Sequence, residues 1–194
     1  MTAPASSPKA PDRMGARLPY AWGTIADEHE RDYPADDLLD GPVVSMTRAV
    51  PVAAPVELAW RWLCQIAVAP YSYDLIDNLG RRSPRELTPG ADQLEVGQLM
   101  QIFRLTSFEA PHHWTGITTR RASRVFGKVA VTYAAEPDGD NRSRMVCRLV
   151  TPVPGRLAAA RAHLLAWGDL VMMRKELLTL KALAERDARS ASSR

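Results

Sequence analysis

Two adjacent histidines are the most suggestive candidates for chemistry in this sequence. His112 and His113 follow Pro111 and precede Trp114, at the start of a strand-like segment. Because neighbouring strand residues point to opposite faces of a sheet, we expect at most one imidazole to face an interior space. An inward histidine could act as a general acid or base near neutral pH, as a cyclisation or dehydration requires. The alternative is a solvent-exposed pair at the end of a hairpin.

A run of tyrosine, aspartate and asparagine is the second candidate. Tyr73 and Asp77 are four residues apart and would share one face of a short helix, with Asp74 beside them. On the functional interpretation they rim a cavity mouth, where tyrosine hydroxyls orient a ligand and Asp74 is a further candidate catalytic residue. The same residues also suit a helix cap with aromatic packing. The whole run comprises Tyr71, Tyr73, Asp74, Asp77 and Asn78.

Charged residues inside apolar strands form the third group. Arg104 and Arg148 lie in such strands, and we expect both to point to solvent from the outer face. An inward arginine would instead hold a carboxylate or an enolate by bidentate hydrogen bonds. Glu109 has the same two alternatives.

Large apolar side chains could line a ligand site or fill an ordinary core. Methionine packs adaptably and tryptophan buries a large area, so either use is physically reasonable. The candidates for ligand lining are Trp60, Trp62, Trp114, Trp167, Val171, Met172 and Met173.

Common enzyme signatures are absent from the sequence. It contains no glycine-rich phosphate loop, no G-x-S-x-G elbow, no H-E-x-x-H and no paired C-x-x-C. Its four histidines are accompanied by no acidic cluster at ligand spacing. We therefore expect neither a metal nor a cofactor.

Composition places the chain among ordinary globular proteins. It has 194 residues, of which 46% are hydrophobic and 24% charged, and its formal net charge is +3. The basic clusters at 81–85 and 120–124 are interpreted as solvated turns, and we expect no nucleic-acid partner. Cys64 and Cys147 suit buried free thiols in a reducing compartment. With no apolar run long enough to span a membrane and no signal-peptide pattern, we expect a cytoplasmic protein.

The chain divides into a tail, an arm and one domain. Residues 1–17 are rich in Pro, Ala and Ser and predict a flexible tail, and 188–194 predict another. Residues 18–42 carry scattered aromatics without a clean period and predict an irregular arm packed on the domain. The domain itself is expected over 43–187.

Hydrophobic periodicity predicts the order of elements within that domain. A strand from Val43 is followed by a helix after Pro55 and a second short helix over 71–80. Strands are then predicted at 99–105, 114–119 and 125–135, with a hairpin turn at 138–141 and a returning strand that Pro152 and Pro154 end.

A helix of about 30 residues is the clearest element. From Leu157 to Arg186 there is no proline, and apolar residues follow a 3-4-3-4 spacing, with a second seam beside them. The main stripe is Leu170, Met173, Leu177, Leu180 and Ala184, and the second seam is Leu164, Val171 and Leu178. A helix this long needs a broad partner surface, which an antiparallel sheet supplies by curling around it. The prediction is an α+β helix-grip fold, with two short helices after the first strand.

Three phrases of the sequence resemble the START-like superfamily, also called SRPBCC. They lie at 47–63, 71–78 and 167–178, and the arm around Trp22-Gly23-Thr24 is similar to the lead-in of a bacterial branch. The resemblance covers residues 18–186 and implies the same helix-grip fold. It also implies kinship with polyketide cyclase/dehydratase-type and lipid-transfer proteins, which differ in ligand and share no universal catalytic signature.

Three functions stay open from the sequence. The first is a non-catalytic carrier or sensor of a small apolar molecule, such as a lipid, a polyketide or another aromatic compound, held between sheet and helix. The second is a polyketide cyclase or dehydratase that uses one acid/base residue in a dry cavity. The third is a protein-interaction module, and a homodimer is also left open.

Overall fold

A seven-stranded sheet and one long helix make up most of the chain in the computed structural model, which describes residues 17–25, 27–72 and 82–192. The strands are β1 Ala21–Trp22, β2 Val43–Val52, β3 Leu99–Met100, β4 Phe103–Glu109, β5 His113–Thr118, β6 Ala130–Pro137 and β7 Ser143–Pro152. The α-helices are α1 Val56–Cys64, α2 Arg120–Phe126 and α3 Arg156–Ser192, and 3-10 turns lie at Pro34–Leu38 and Gln65–Ala67.

The sheet has the strand order β1-β2-β7-β6-β5-β4-β3. All neighbours are antiparallel except β1 and β2, which run parallel. The inner face of the sheet packs against α3 and α1 in one large apolar core. This arrangement confirms the predicted α+β helix-grip fold, with the long C-terminal helix held by a curved sheet.

The main stripe of α3 is buried as predicted. Leu170, Met173, Leu177, Leu180 and Ala184 all lie in the core, because their spacing returns them to one side of the helix. The predicted second seam is wrong. Leu164 and Val171 are exposed, since they lie about 180° around the helix from the buried stripe at 100° per residue. The helix also continues to Ser192, beyond its predicted end at Arg186.

Two predicted strands needed correction. The segment 99–105 is a tight β3–β4 hairpin, which turns at Gln101 with a φ of 59°. The strand predicted from Val125 starts too early, because Val125 and Phe126 are the last residues of α2. At the other end of this helix the Thr119 hydroxyl accepts a hydrogen bond from the Ala122 N–H as an N-cap. The basic cluster 120–124 is therefore helical. The second short helix predicted over 71–80 falls mostly outside the described residues.

The arm covers the outer face of the sheet. Tyr33 packs with Ala49, Ala134 and Val146 in a small buried cluster, and Leu39 packs in a neighbouring one. The short strand β1 adds to the sheet beside β2. Only part of the arm is irregular, and its aromatic residues give the sheet a second buried face.

Among the described residues, none of the helices combines the length and the apolar character that crossing a membrane requires.

Gly23 is the position at which the arm most needs glycine. Its φ is +71°, and a Cβ built there would lie 2.1 Å from the backbone oxygen of Ala49. Gly23→Ala must therefore push β1 away from β2, and we expect it to lower the free energy of unfolding by about 2–3 kcal/mol in urea denaturation.

Gly139→Ala is the matched control for that measurement. Gly139 also has a positive φ, +93°, but a Cβ there would meet nothing within 4 Å. Its replacement should lower the free energy of unfolding by about 1 kcal/mol, the backbone contribution alone. Equal losses in the two variants would show that close packing of the arm contributes nothing.

Candidate functional site

A row of side chains crosses the inner face of the sheet from β2 to β5. The cross-strand register pairs Arg48 with Cys147, Cys147 with Tyr133, and Tyr133 with Trp114. Directly paired residues point to the same face, so these four side chains form a continuous line beneath the helix. All four are buried. Two of them are strongly polar, which is unusual for the centre of a core.

The long helix places acidic side chains opposite this row. The Tyr133 hydroxyl donates a 2.7 Å hydrogen bond to Glu176 Oε1, and the Met173 sulfur lies 3.4 Å from the same hydroxyl. Arg48 Nη2 lies 3.1 Å from Asp169 Oδ2. Asp169, Met173 and Glu176 reach the sheet together because steps of three and four residues return to the same helical face. We call Arg48, Tyr133, Cys147, Asp169 and Glu176 the inner polar cluster.

Arg48 joins three parts of the fold. Its guanidinium donates to the backbone oxygens of Tyr20 in the arm, Thr47 in β2 and Ala166 in α3. Its Nε is buried without a hydrogen-bond partner among the described residues, and the contact with Asp169 Oδ2 is off the direction of an aligned hydrogen bond. Arg48 therefore has a structural role, and its Nε–H is a hydrogen-bond donor that is not used by the described residues.

Burial dominates the titration of the inner polar cluster. The pKa of Asp169 is raised to about 6 by burial, against the opposing effect of the Arg48 charge. Burial likewise raises the pKa of Tyr133 and of Cys147, and nearby carboxylates reinforce both shifts. Tyr133 is thus a neutral phenol and Cys147 a neutral thiol near pH 7. Of Asp169, Tyr133 and Cys147, Asp169 changes charge closest to neutrality.

The inner polar cluster is almost completely enclosed. Arg48, Cys147 and Trp114 are 0% exposed, and Met173 and Glu176 each retain 7%. The small residual exposure is therefore greater on α3 than on the strands.

Trp114 and Tyr133 form an aromatic floor beside the cluster. Their rings stack with centroids 4.5 Å apart and planes 19° from parallel. The Trp114 indole donates a 3.3 Å hydrogen bond to the backbone oxygen of Leu63 in α1. Stacking and this hydrogen bond fix the orientation of both rings.

Several predicted ligand-lining residues lie in the core. Trp60, Trp62 and Tyr71 are buried with Trp114 in the main apolar cluster, and Trp62 meets Tyr71 edge-on at 6.1 Å. Met173 lies against Tyr133, as described above. These side chains are within or next to the interior where a ligand was predicted.

Others lie on the opposite side of α3. Trp167, Val171 and Met172 are 45%, 54% and 41% exposed, on the helix face that points away from the sheet. Their predicted place in the lining of an internal cavity is therefore wrong. An amphipathic helix buries only the stripe that faces the sheet, and these three residues lie outside that stripe. Trp167 donates instead to His163 Nε2 at 3.2 Å.

Neither candidate histidine faces the interior. His113 pairs with Ala134 on the outer face of the sheet, and His112 is exposed in the turn before β5. Trp114 takes the inward position, so the alternation of β5 turns His113 outward. Burial lowers the pKa of the half-buried His113. Both histidines line a surface cleft of about 210 Å³ between the arm and the sheet, together with Arg31, Tyr33 and Glu136.

The strand arginines have different surroundings. Arg104, a candidate ligand-binding residue had it pointed inward, is exposed on the outer face and donates to the Gly97 backbone oxygen at 2.7 Å. Arg148 also points outward but is buried beneath the arm, where it pairs with Asp36 at 3.1 Å. The arm, which the strand pattern alone does not predict at this position, shields Arg148 from solvent. Glu109 is exposed beside His113.

The candidates Tyr73, Asp74, Asp77 and Asn78 lie outside the described residues. Their proposed position at a cavity mouth stays a prediction. Among the residues that the structure describes, no group of three or more histidine, cysteine, aspartate or glutamate side chains could hold a metal ion.

Sequence reasoning missed the inner polar cluster. Arg48 sits at an inward position of an alternating strand, between Met46 and Val50, which is a detectable signal. Asp169 and Glu176 are seven residues apart, and both lie on the buried side of α3. A spacing of seven residues places both acids on the same side of the helix as its buried apolar stripe. Only the sheet register shows that they meet Arg48 and Tyr133.

The fold and this cluster define the class of the protein: a helix-grip protein whose core encloses a polar cluster next to stacked aromatic rings. No family model and no curated protein matches the sequence.

Solved structures with a distant likeness include norcoclaurine synthase from Thalictrum flavum in complex with dopamine and hydroxybenzaldehyde. It is 13% identical over 68% of this chain and 85% of that one, with a TM-score of 0.40. An Arabidopsis thaliana member of the major latex protein family is 15% identical over 71% and 94%, with a TM-score of 0.41. A protein from Arthrobacter aurescens is 17% identical over 80% and 90%, with a TM-score of 0.43. The fold assignment rests on the strand order and the long helix described above.

Proposed function

We propose that this protein binds a small, mostly apolar molecule between its sheet and α3, and carries or senses it without converting it. The observation that carries this proposal is the hydrogen-bonded Tyr133–Glu176 pair inside a core that is mostly apolar. Polar groups in such a place reduce stability unless every one is well satisfied, so a purely structural core would favour apolar residues there.

The Arg48–Asp169 pair and the Tyr133–Glu176 pair of the inner polar cluster differ in their structural roles. Arg48 and Asp169 tie the arm, β2 and α3 together, which is a sufficient structural reason for that pair. Tyr133 and Glu176 join β6 to α3 by a hydrogen bond between a phenol and a carboxyl group, and apolar side chains surround this pair. A ligand that enters between the sheet and α3 would meet this phenol and carboxyl group there.

The cluster favours a ligand with a flat apolar body and one polar group. The stacked Trp114 and Tyr133 rings offer a rigid aromatic edge, and Met173 beside them can adapt its shape. The Tyr133 hydroxyl can donate to a ligand carbonyl, and Glu176 can accept from a ligand hydroxyl. An aromatic or polyketide-like molecule carrying a hydroxyl or carbonyl group fits this chemistry.

Native mass spectrometry of the purified protein tests the proposal. A co-purifying molecule would add a fixed mass, and denaturing extraction would identify it. Incubation of that molecule with fresh protein should then return it unchanged. A clean apo mass, combined with no thermal shift from any of a panel of hydroxylated aromatic compounds, would contradict the proposal.

Tyr133→Phe should weaken ligand binding by about fivefold to 150-fold, since one hydrogen bond to a buried polar group contributes about 1–3 kcal/mol. Isothermal titration with the extracted ligand measures this change. Tyr33→Phe is the matched control, because the Tyr33 hydroxyl also donates to a glutamate, Glu136, at 3.2 Å, but on the outer face. Equal affinity in wild type and Tyr133→Phe would exclude Tyr133 from the site.

A polyketide cyclase or dehydratase is the second candidate function. Its support is Asp169, whose pKa of about 6 lets the carboxyl gain and lose a proton near neutral pH. Loss of the extracted ligand with time, abolished in Asp169→Asn, would favour this enzyme over the carrier.

A further inference from the structure

The long helix is apolar on two opposite faces. One face is the buried stripe, and the other exposes a second line of apolar side chains to solvent. Leu157 and Leu164 are 87% and 74% exposed. The line also includes Trp167, Val171, Met172 and Leu178. An exposed apolar stripe of this length marks an interaction surface, because water disfavours it.

Basic residues flank this stripe without exposed acidic ones. Residues 120–128 and 156–178 together hold eight Lys and Arg against two Asp and Glu, and those two, Asp169 and Glu176, point into the core. The formal charge of these two segments is thus +6, whereas that of the whole chain is only +3. The remainder of the chain is net negative, so positive charge is concentrated around the apolar stripe.

Helix α2 extends the same surface. Arg161 of α3 donates a 3.0 Å hydrogen bond to the Val125 backbone oxygen, which brings the end of α2 next to the first turns of α3. Val125 and Phe126 are 68% and 45% exposed at the end of α2. Arg121 and Arg124 on the same helix are exposed as well. We call α2 and the outer face of residues 156–178 the basic apolar surface.

We propose that the basic apolar surface docks on an anionic lipid membrane, with its apolar side chains in the interface and its arginines at the headgroups. The charge distribution selects this occupant, because anionic headgroups attract arginine and lysine over a Debye length. Apolar side chains with a tryptophan among basic residues on one helical face are the features of an interfacial helix.

A second copy of the chain fits this surface less well. Pairing two such faces would bring Arg161, Arg174 and Lys175 of one copy against basic residues of the other, with no exposed acid on the stripe to offset them. The first residues of the helix, 156–161, are also mostly exposed. An exposed helical face inserts into a lipid interface without requiring a complementary groove. The proposal goes beyond ligand binding and does not depend on it.

Vesicle flotation tests the proposal. Wild-type protein should float with vesicles of 70% phosphatidylcholine and 30% phosphatidylglycerol, and bind vesicles of pure phosphatidylcholine roughly tenfold more weakly or worse. Binding should fall as NaCl is raised to about 0.5 M, because screening shortens the attraction. Absence of flotation with anionic vesicles at low salt would overturn the proposal.

Two sets of variants locate the binding surface. Arg120→Glu, Arg121→Glu and Arg124→Glu combined, and Leu157→Glu with Leu164→Glu, should each reduce flotation at least roughly tenfold. These side chains are exposed, so folding should be retained, as circular dichroism will check.

Matched controls carry the same changes elsewhere. Val96→Glu with Leu99→Glu replaces two other exposed apolar residues, 66% and 55% exposed. Arg82→Glu, Arg85→Glu and Arg142→Glu combined reverse three exposed arginines outside the surface. Controls that lose flotation equally would show a non-specific charge effect and overturn the assignment.

Sedimentation velocity distinguishes a second copy as the occupant. Wild-type protein should be monomeric without lipid. A dimer that the Leu157→Glu, Leu164→Glu variant abolishes would assign this surface to self-association and overturn the membrane proposal.

Discussion

Arg48→Met is expected to lower the free energy of unfolding by about 3–5 kcal/mol at pH 7, the usual effect of removing one partner of a buried ion pair. The change leaves the Asp169 carboxylate buried without its counter-charge. It also removes the donors for the backbone oxygens of Tyr20, Thr47 and Ala166. Methionine fills similar volume, so the loss reports mainly on charge and hydrogen bonding. Urea denaturation followed by tryptophan fluorescence measures it.

Arg104→Met is the matched control for this measurement. Arg104 also lies in a strand and donates to one backbone oxygen, but it is exposed, so its replacement should change stability by less than about 1 kcal/mol. The Arg48→Met loss should shrink at pH 5, where Asp169 takes up a proton and no longer needs the guanidinium. Similar losses in the two variants would contradict the structural role assigned to Arg48.

Asp169 should make stability depend on pH in a direction opposite to that of most surface carboxylates. Its pKa is about 6 in the folded protein and 3.8 as the reference value. Between these values the folded state binds more protons than the unfolded state, so this group lowers stability as pH rises from about 4 to about 6. A shift of about two pKa units corresponds to about 3 kcal/mol across that window.

The Asp169→Asn variant isolates this contribution. An amide does not titrate, and all other groups are shared, so the wild-type minus variant difference in unfolding free energy should fall by about 3 kcal/mol between pH 3 and pH 7. Parallel unfolding curves at a series of pH values measure this difference. A difference that is constant with pH, or that grows with pH, would show that Asp169 is not held in a desolvated site.

Arg48 and Asp169 also show how the site depends on the fold around it. Arg48 reaches the arm, the sheet and the long helix at once, so the position of α3 over β2 and the docking of the arm are coupled through one side chain. A ligand that displaces α3 near Glu176 would act on the same helix within two turns of Asp169. Stability and ligand binding are therefore expected to be linked.

Local patterns in the sequence determined most of the architecture. Alternation in β2 and β7 and the 3-4 spacing of Leu170, Met173 and Leu177 predict strands and a buried helix face, because side-chain direction follows from backbone geometry alone. The same patterns predict the hairpin between β6 and β7 and the sheet that grips α3. Errors occurred where short-range signals compete, as at Gln101 in the β3–β4 turn and at Thr119, whose capping of α2 was overlooked.

The candidate site was decided by tertiary structure. His113 has the residue type that a catalytic base requires, yet the inward position of Trp114 turns it to the outer face. Arg48, Tyr133 and Glu176 are distant in sequence, and only strand register and helix placement bring them together. Periodicity singles out two apolar seams on α3, and the sheet covers only the main one, which leaves Leu164 and Val171 exposed. That choice depends on contacts between distant segments, which no local pattern contains.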